Sequence, residues 1–238
     1  MYTRTLLAGA ILFASLSAQA LGTVQLTNFT YDPFAGGPGP GAGPAFPTMY
    51  DAAHSITKTV VSSAPPTLGT YAGGGQMEGL LNGASFQSFC VQIDNPVQFG
   101  PVYTDYVPLS GAAGFGVTKA ADLAKLITWA SAGNSNSAAK SAALQAAVWE
   151  IVHETGGSYS FATGNVQASS ANSATAAALA AIDWAVINST TATYTVSKLD
   201  GATQDLLIFA PVPEAGTVAL MMLGLAGVGA VARKRRLA

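Results

Sequence analysis

The sequence is poor in the residues that most often carry chemistry. It has one cysteine, two histidines and only 9% charged residues in a chain of 238. A single cysteine, Cys90, excludes an intramolecular disulfide and a cysteine-rich metal site. The histidines, His54 and His153, stand far apart and at no ligand spacing. Residues 21–213 contain five lysines, no arginine and eleven acidic residues, a net charge of −6. No basic cluster is therefore present there to displace counterions from nucleic acid, which excludes a nucleic-acid partner. There is no G-x-S-x-G, no phosphate-binding loop and no HExxH, and nothing nominates a carboxylate pair for acid–base work. The chain reads as a binding or structural protein with no cofactor and no metal, not as an enzyme. Its surface must be covered by Ser, Thr, Asn, Gln and Gly, which suits a crowded polysaccharide matrix.

What the middle lacks, the two ends have. Arg4 is the only charge among the first twenty residues, and residues 6–16 are almost wholly apolar. That run fits the h-region of a secretory signal and is too short to span a bilayer. Ala18-Gln19-Ala20 supplies the small residues of a cleavage site, with the cut expected after Ala20. A buried first helix of a cytosolic domain would require charge, apolar run and small residues to coincide by chance. At the other end, residues 216–232 (GTVALMMLGLAGVGAVA) carry no charge and run directly into Arg233, Lys234, Arg235 and Arg236. Such a stretch sits at the lower limit for a transmembrane helix, and a basic cluster beside it stays cytoplasmic, leaving the rest outside.

Val212, Pro213, Glu214 and Ala215 precede that helix. The order of short motif, apolar helix and basic tail resembles the PEP-CTERM sorting domain, with Ala215 in place of the usual second Pro. The resemblance implies processing near Pro213-Glu214 by an exosortase-type membrane protease, in a Gram-negative cell that makes exopolysaccharide. A permanent single-pass anchor is the alternative. Both readings place the protein in the cell envelope, on the outer surface or in the extracellular matrix, with an inner-membrane anchor before processing.

Between the ends, patterning predicts strands, then helices, then strands. Residues 23–31 alternate apolar and polar, and 55–62, 85–93 and 102–107 are rich in strand formers. Residues 33–47 are a Gly/Pro/Ala loop. Helical spacing appears over 119–130, over 137–154 up to Gly156-Gly157, and over 175–187, which holds Trp184. Strand chemistry returns at 193–199 and 205–209. No repeat of constant period is present. The expected fold is α+β, with sandwich- or barrel-like strands, an inserted helical region and a single C-terminal sorting helix. The expected organisation is a signal peptide at 1–20, one α+β domain at 21–210 and a sorting segment at 211–238.

An odd cysteine in an exported chain requires an explanation. Cys90 is an inert core thiol, pairs with another molecule, or spends its thiol in a different covalent bond. Residues 89–94 (FCVQID) and 143–152 (ALQAAVWEIV) bear on the choice. Together they resemble the Cys-Gln thioester domains of bacterial surface proteins, in which a strand cysteine bonds to a glutamine near the start of a Gln-x-Ala-hydrophobic-Trp helix. Gln145, Ala147, Val148 and Trp149 match that pattern. The resemblance implies a Cys90–Gln145 thioester, shielded by Trp149 one turn further along the same helix face. Its partner would be an amine-bearing surface or exopolysaccharide matrix component, as befits adhesion within a biofilm. Asp94 and Glu150 are candidate helpers, and solvated positions are the expectation for both. A passive matrix protein without a thioester is the competing reading.

Overall fold

The structure is a computed structural model that describes residues 22–29, 56–60, 67–71, 75–93, 95, 99–134, 137–170 and 173–212. The leader with Ala18 and Ala20, His54, Asp94, residues 213–215, the apolar stretch 216–232 and the basic tail lie outside the described residues. Among the described residues, no helix is long and apolar enough to cross a membrane.

Among the described residues, nine strands form two sheets. Six close into an antiparallel barrel in the order β1 (Gly22–Phe29), β4 (Met77–Leu81), β5 (Ala84–Cys90), β9 (Leu206–Pro211), β8 (Tyr194–Asp200) and β6 (Val102–Ser110). The remaining three, β3 (Thr67–Tyr71), β2 (Ile56–Val60) and β7 (Val166–Ser169), make a small antiparallel sheet. The sandwich-or-barrel expectation thus resolves to a barrel. Closure needs strands that bend, and β1 has register shifts in its ladders to both neighbours, at Leu26/Asn28 and Gly22/Val24. The β4–β5 hairpin turns on Asn82-Gly83, both at positive φ, the turn whose twist matches antiparallel strands. Asn82 also accepts from the Thr23 N–H at 2.8 Å, which ties the hairpin to β1.

Inside the barrel, Val24, Leu26, Met77, Tyr106, Leu199 and Leu206 pack together. Tyr106 is buried there because its phenol donates to the Gln204 carbonyl at 2.7 Å. Alternate residues of the same strands point outward. Phe89, Val196 and Leu207 join a larger apolar cluster with the helices.

The helical insert lies between β6 and β8. It comprises α1 (Gly111–Phe115), α2 (Val117–Trp129), α3 (Ala138–His153), α4 (Ser173–Ala180) and α5 (Trp184–Ser189). A π-helical turn (Ala130–Asn134) follows α2, with Gly133 at positive φ. Ser137 caps α3 by accepting from the Lys140 N–H. Every residue from 141 to 151 of α3 is buried, so this helix is covered on all sides.

The expected single helix over 175–187 is a pair. The Asp183 carboxylate accepts from the N–H groups of Ala185 and Val186, capping a new helix at Trp184 and ending continuity with α4. Strands β3, β4 and β7 and helix α1 lie where the sequence suggested no element. All are short, and β4 (MEGLL) offers neither alternation nor β-branched residues.

Candidate functional site

The site forms where β4 and β5 part. Met77 pairs with Ser88, and two positions further along the register Gly75 would face Cys90. Helix α3 enters there instead. The Ser141 hydroxyl accepts from the Gln76 N–H at 2.8 Å on the β4 side. One turn along, the Gln145 carboxamide takes over the β5 side. Its Oε1 accepts from the Cys90 N–H and its Nε2 donates to the Cys90 carbonyl, each at 2.8 Å. A side-chain amide thus completes both backbone bonds that a strand residue would have made, and buried backbone groups require such partners.

The same helix row continues past Gln145. Trp149 is 4% exposed and packs with Ile93 and Val166 against Cys90. His153, the last residue of α3, places Nε2 3.0 Å from the Val91 carbonyl oxygen. Ser141, Gln145, Trp149 and His153 recur every four residues, the spacing that stacks side chains on one face. On the other flank, β5 holds β9: Cys90 faces Leu206, and the Val91 N–H donates to the Asp205 carbonyl at 2.9 Å.

The two residues of the expected linkage are therefore in direct contact, with Trp149 beside them. Gln145 is completely buried, and part of Cys90 reaches the surface. Its thiol is nevertheless desolvated, which pushes its pKa up to about 12. Such a thiol is protonated at neutral pH, so its attack on a carbonyl requires the proton to leave with the reaction. A neutral thioester in the same place carries no charge and suffers no such penalty.

Glu150 corrects an expectation. It is buried, not solvated, because it projects from a different face of a helix that is covered all round. Its Oε1 accepts from the Ser160 N–H at 2.7 Å, while Oε2 has no partner among the described residues. Burial raises its pKa to about 7, the Ser160 N–H works against that rise, and the neighbouring Glu154 charge adds to it. Five positions from Gln145, it faces away from Cys90. Sequence reasoning passed over Ser141, Ile93 and Val166, and weighed His153 only as a metal ligand. The four-residue spacing of Ser141 and His153 about Gln145 was the available signal, whereas Ile93 and Val166 had none. Among the described residues, no group of three or more His, Cys, Asp or Glu side chains is arranged to hold a metal.

Comparison with known families matches the PEP-CTERM protein-sorting motif over residues 211–236. No curated protein and no solved structure matches the chain. The motif includes Val212, Pro213, Glu214 and Ala215 and the basic residues 233–236. That motif implies export, exosortase targeting and a C-terminal membrane anchor before processing.

Proposed function

We propose that Cys90 and Gln145 form an internal thioester, and that the exported protein uses it once to couple covalently to an amine-bearing surface or exopolysaccharide matrix component. The observation that carries this reading is the pair of 2.8 Å hydrogen bonds holding the Gln145 carboxamide on the Cys90 backbone. Reactions between groups so held gain greatly over the same groups free in solution. In formation, Cys90 Sγ adds to Gln145 Cδ, ammonia leaves with the thiol proton, and the carbonyl oxygen remains as Oε1. The Cys90 N–H already points at that oxygen and stabilises the negative charge that develops on it.

The acyl group so formed is activated towards amines, because a thiol leaves far more readily than an amide nitrogen. Trp149, Ile93 and Val166 supply apolar cover against water. An incoming primary amine forms an amide at Gln145 Cδ and returns the hydrogen to Cys90 Sγ as a free thiol. The bond is consumed in use, so the protein is a single-turnover coupling device and not an enzyme.

A second reading is favoured by the same hydrogen bonds. They suffice as a lock between α3 and β5, and the protein is then a passive matrix component held by polar contacts alone. Intact mass of the exported protein separates the two. The thioester makes it lighter by one ammonia, and Cys90→Ala abolishes both the deficit and labelling by methylamine. Full mass in the wild type, with a Cys90 that alkylates after unfolding, overturns the thioester.

A further inference from the structure

The sorting motif and the barrel share residues. The motif begins at residue 211, and β9 ends at Pro211. Pro211 lies opposite Tyr194 in the β8–β9 ladder. Beyond it, the Val212 N–H donates to the Thr193 carbonyl at 2.8 Å. Thr193 is fixed in turn, since its N–H donates to the Thr128 hydroxyl on α2 at 2.9 Å. The first two residues of the motif are thus hydrogen-bonded neighbours of an edge that the helical layer supports.

β9 cannot leave as a whole. It lies between β5 and β8 in the closed barrel, and Leu206 and Leu207 are completely buried. Its exposure rises only at the end, where Ala210, Pro211 and Val212 are exposed. Opening is therefore confined to the last residues, the part of a strand that frays at least cost.

Little chain separates this end from the membrane segment. The apolar run starts at Gly216, four residues after Val212. Even fully extended, those residues span about 14 Å. A membrane protease that takes hold of an extended motif in that gap meets the barrel wall and competes with β8 for Pro211 and Val212.

We infer that the folded barrel sequesters the start of the sorting motif, so that exosortase processing proceeds through opening of the 211–212 end of β9 away from β8. The inference is independent of the thioester, since it involves neither Cys90 nor Gln145. It makes processing sensitive to the stability of one strand end and to the length of the link behind it.

The test uses the full chain in a host whose exosortase processes it, followed by pulse-chase. Thr128→Val removes the hydroxyl that fixes Thr193 and leaves every motif residue in place, and processing accelerates several-fold. The converse variant is Tyr194→Cys with Pro211→Cys in a Cys90→Ala background. These positions flank the hydrogen-bonded Thr193/Val212 pair and are close enough for a disulfide. The staple slows processing several-fold, and reduction restores the rate. An unchanged rate in Thr128→Val overturns the inference, whether or not the staple closes. So does a stapled chain processed as fast as its reduced form.

Discussion

Ser141 and Gln145, one helical turn apart on α3, bind the two strands of a hairpin at the point where they separate, Ser141 taking the Gln76 N–H and Gln145 the backbone of Cys90. The helix thus replaces a strand-to-strand contact with side chains. It also brings a carboxamide to the chain's only cysteine.

This arrangement predicts that Gln145 matters more to stability than Cys90. Gln145→Ala leaves the Cys90 N–H and carbonyl without partners in a buried setting, costing about 2–4 kcal/mol. Cys90→Ala keeps both backbone bonds and costs about 1 kcal/mol through lost packing. Either variant removes a thioester equally, so the difference in chemical denaturation midpoints isolates the hydrogen bonds. Equal midpoints would contradict the lock.

Any Cys90 left unlinked reacts slowly with alkylating agents in the folded protein. With its pKa pushed up to about 12 against an ordinary value of 9.0, its thiolate population near neutral pH is about a thousandfold below that of a free cysteine. The alkylation rate keeps climbing well above pH 9 in the native protein and levels off near pH 9 in urea. Matching profiles in the two states would show a solvated thiol.

Glu150 gives a pH dependence with a defined sign. Its pKa is raised from an ordinary value of 4.5 to about 7. Glu154 and Tyr159 are the charged and titratable neighbours it interacts with. The unfolded chain releases the proton first as pH rises. The favourable contribution is therefore complete below about pH 4.5 and is lost as pH rises through about 7. Glu150→Gln mimics the protonated form and removes this loss. The variant gains on the order of 1–2 kcal/mol over wild type at pH 8 and little at pH 4.5, read from urea midpoints at both values.

Barrel closure is sensitive at Gly79. A Cβ there overlaps the Gln25 carbonyl oxygen on β1 and presses on the Phe86 ring. Gly79→Ala therefore costs about 1–3 kcal/mol and lowers Tm by several degrees in calorimetry. Gly83→Ala serves as the comparison, because that site has open space but positive φ, so its smaller loss is purely conformational.

How far the sequence speaks depends on the range of the interactions involved. Helical periodicity located α2 and α3 to within two residues, because the spacing of apolar side chains within one helix encodes it. The same signal misjudged 175–187. There one carboxylate, Asp183, decides between one helix and two by capping, and a hydrophobic count does not register it. Phe89 and Cys90 are consecutive on β5, so the pleat sends them to opposite faces: Phe89 joins the helical cluster while Cys90 lies with Ile93 and Trp149. Glu150 looked like an ordinary solvated acid. Its burial follows from neighbours on several elements at once.

By itself the sequence determined the labels at the ends and the inventory of the middle. The matched sorting motif, the single cysteine and the scarcity of charge are linear properties, readable without a fold. The tertiary structure alone decided what is adjacent. Cys90 and Gln145 are 55 residues apart, and only the divergence of β4 from β5 admits α3 between them. It likewise decided that the sorting motif starts inside a barrel strand, since pairing of Pro211 with Tyr194 and the hydrogen bond from Val212 N–H to the Thr193 carbonyl, not local composition, hold that end in place. Motifs depend on residue order along the chain, whereas a site depends on which backbone groups the fold leaves for a distant side chain to satisfy.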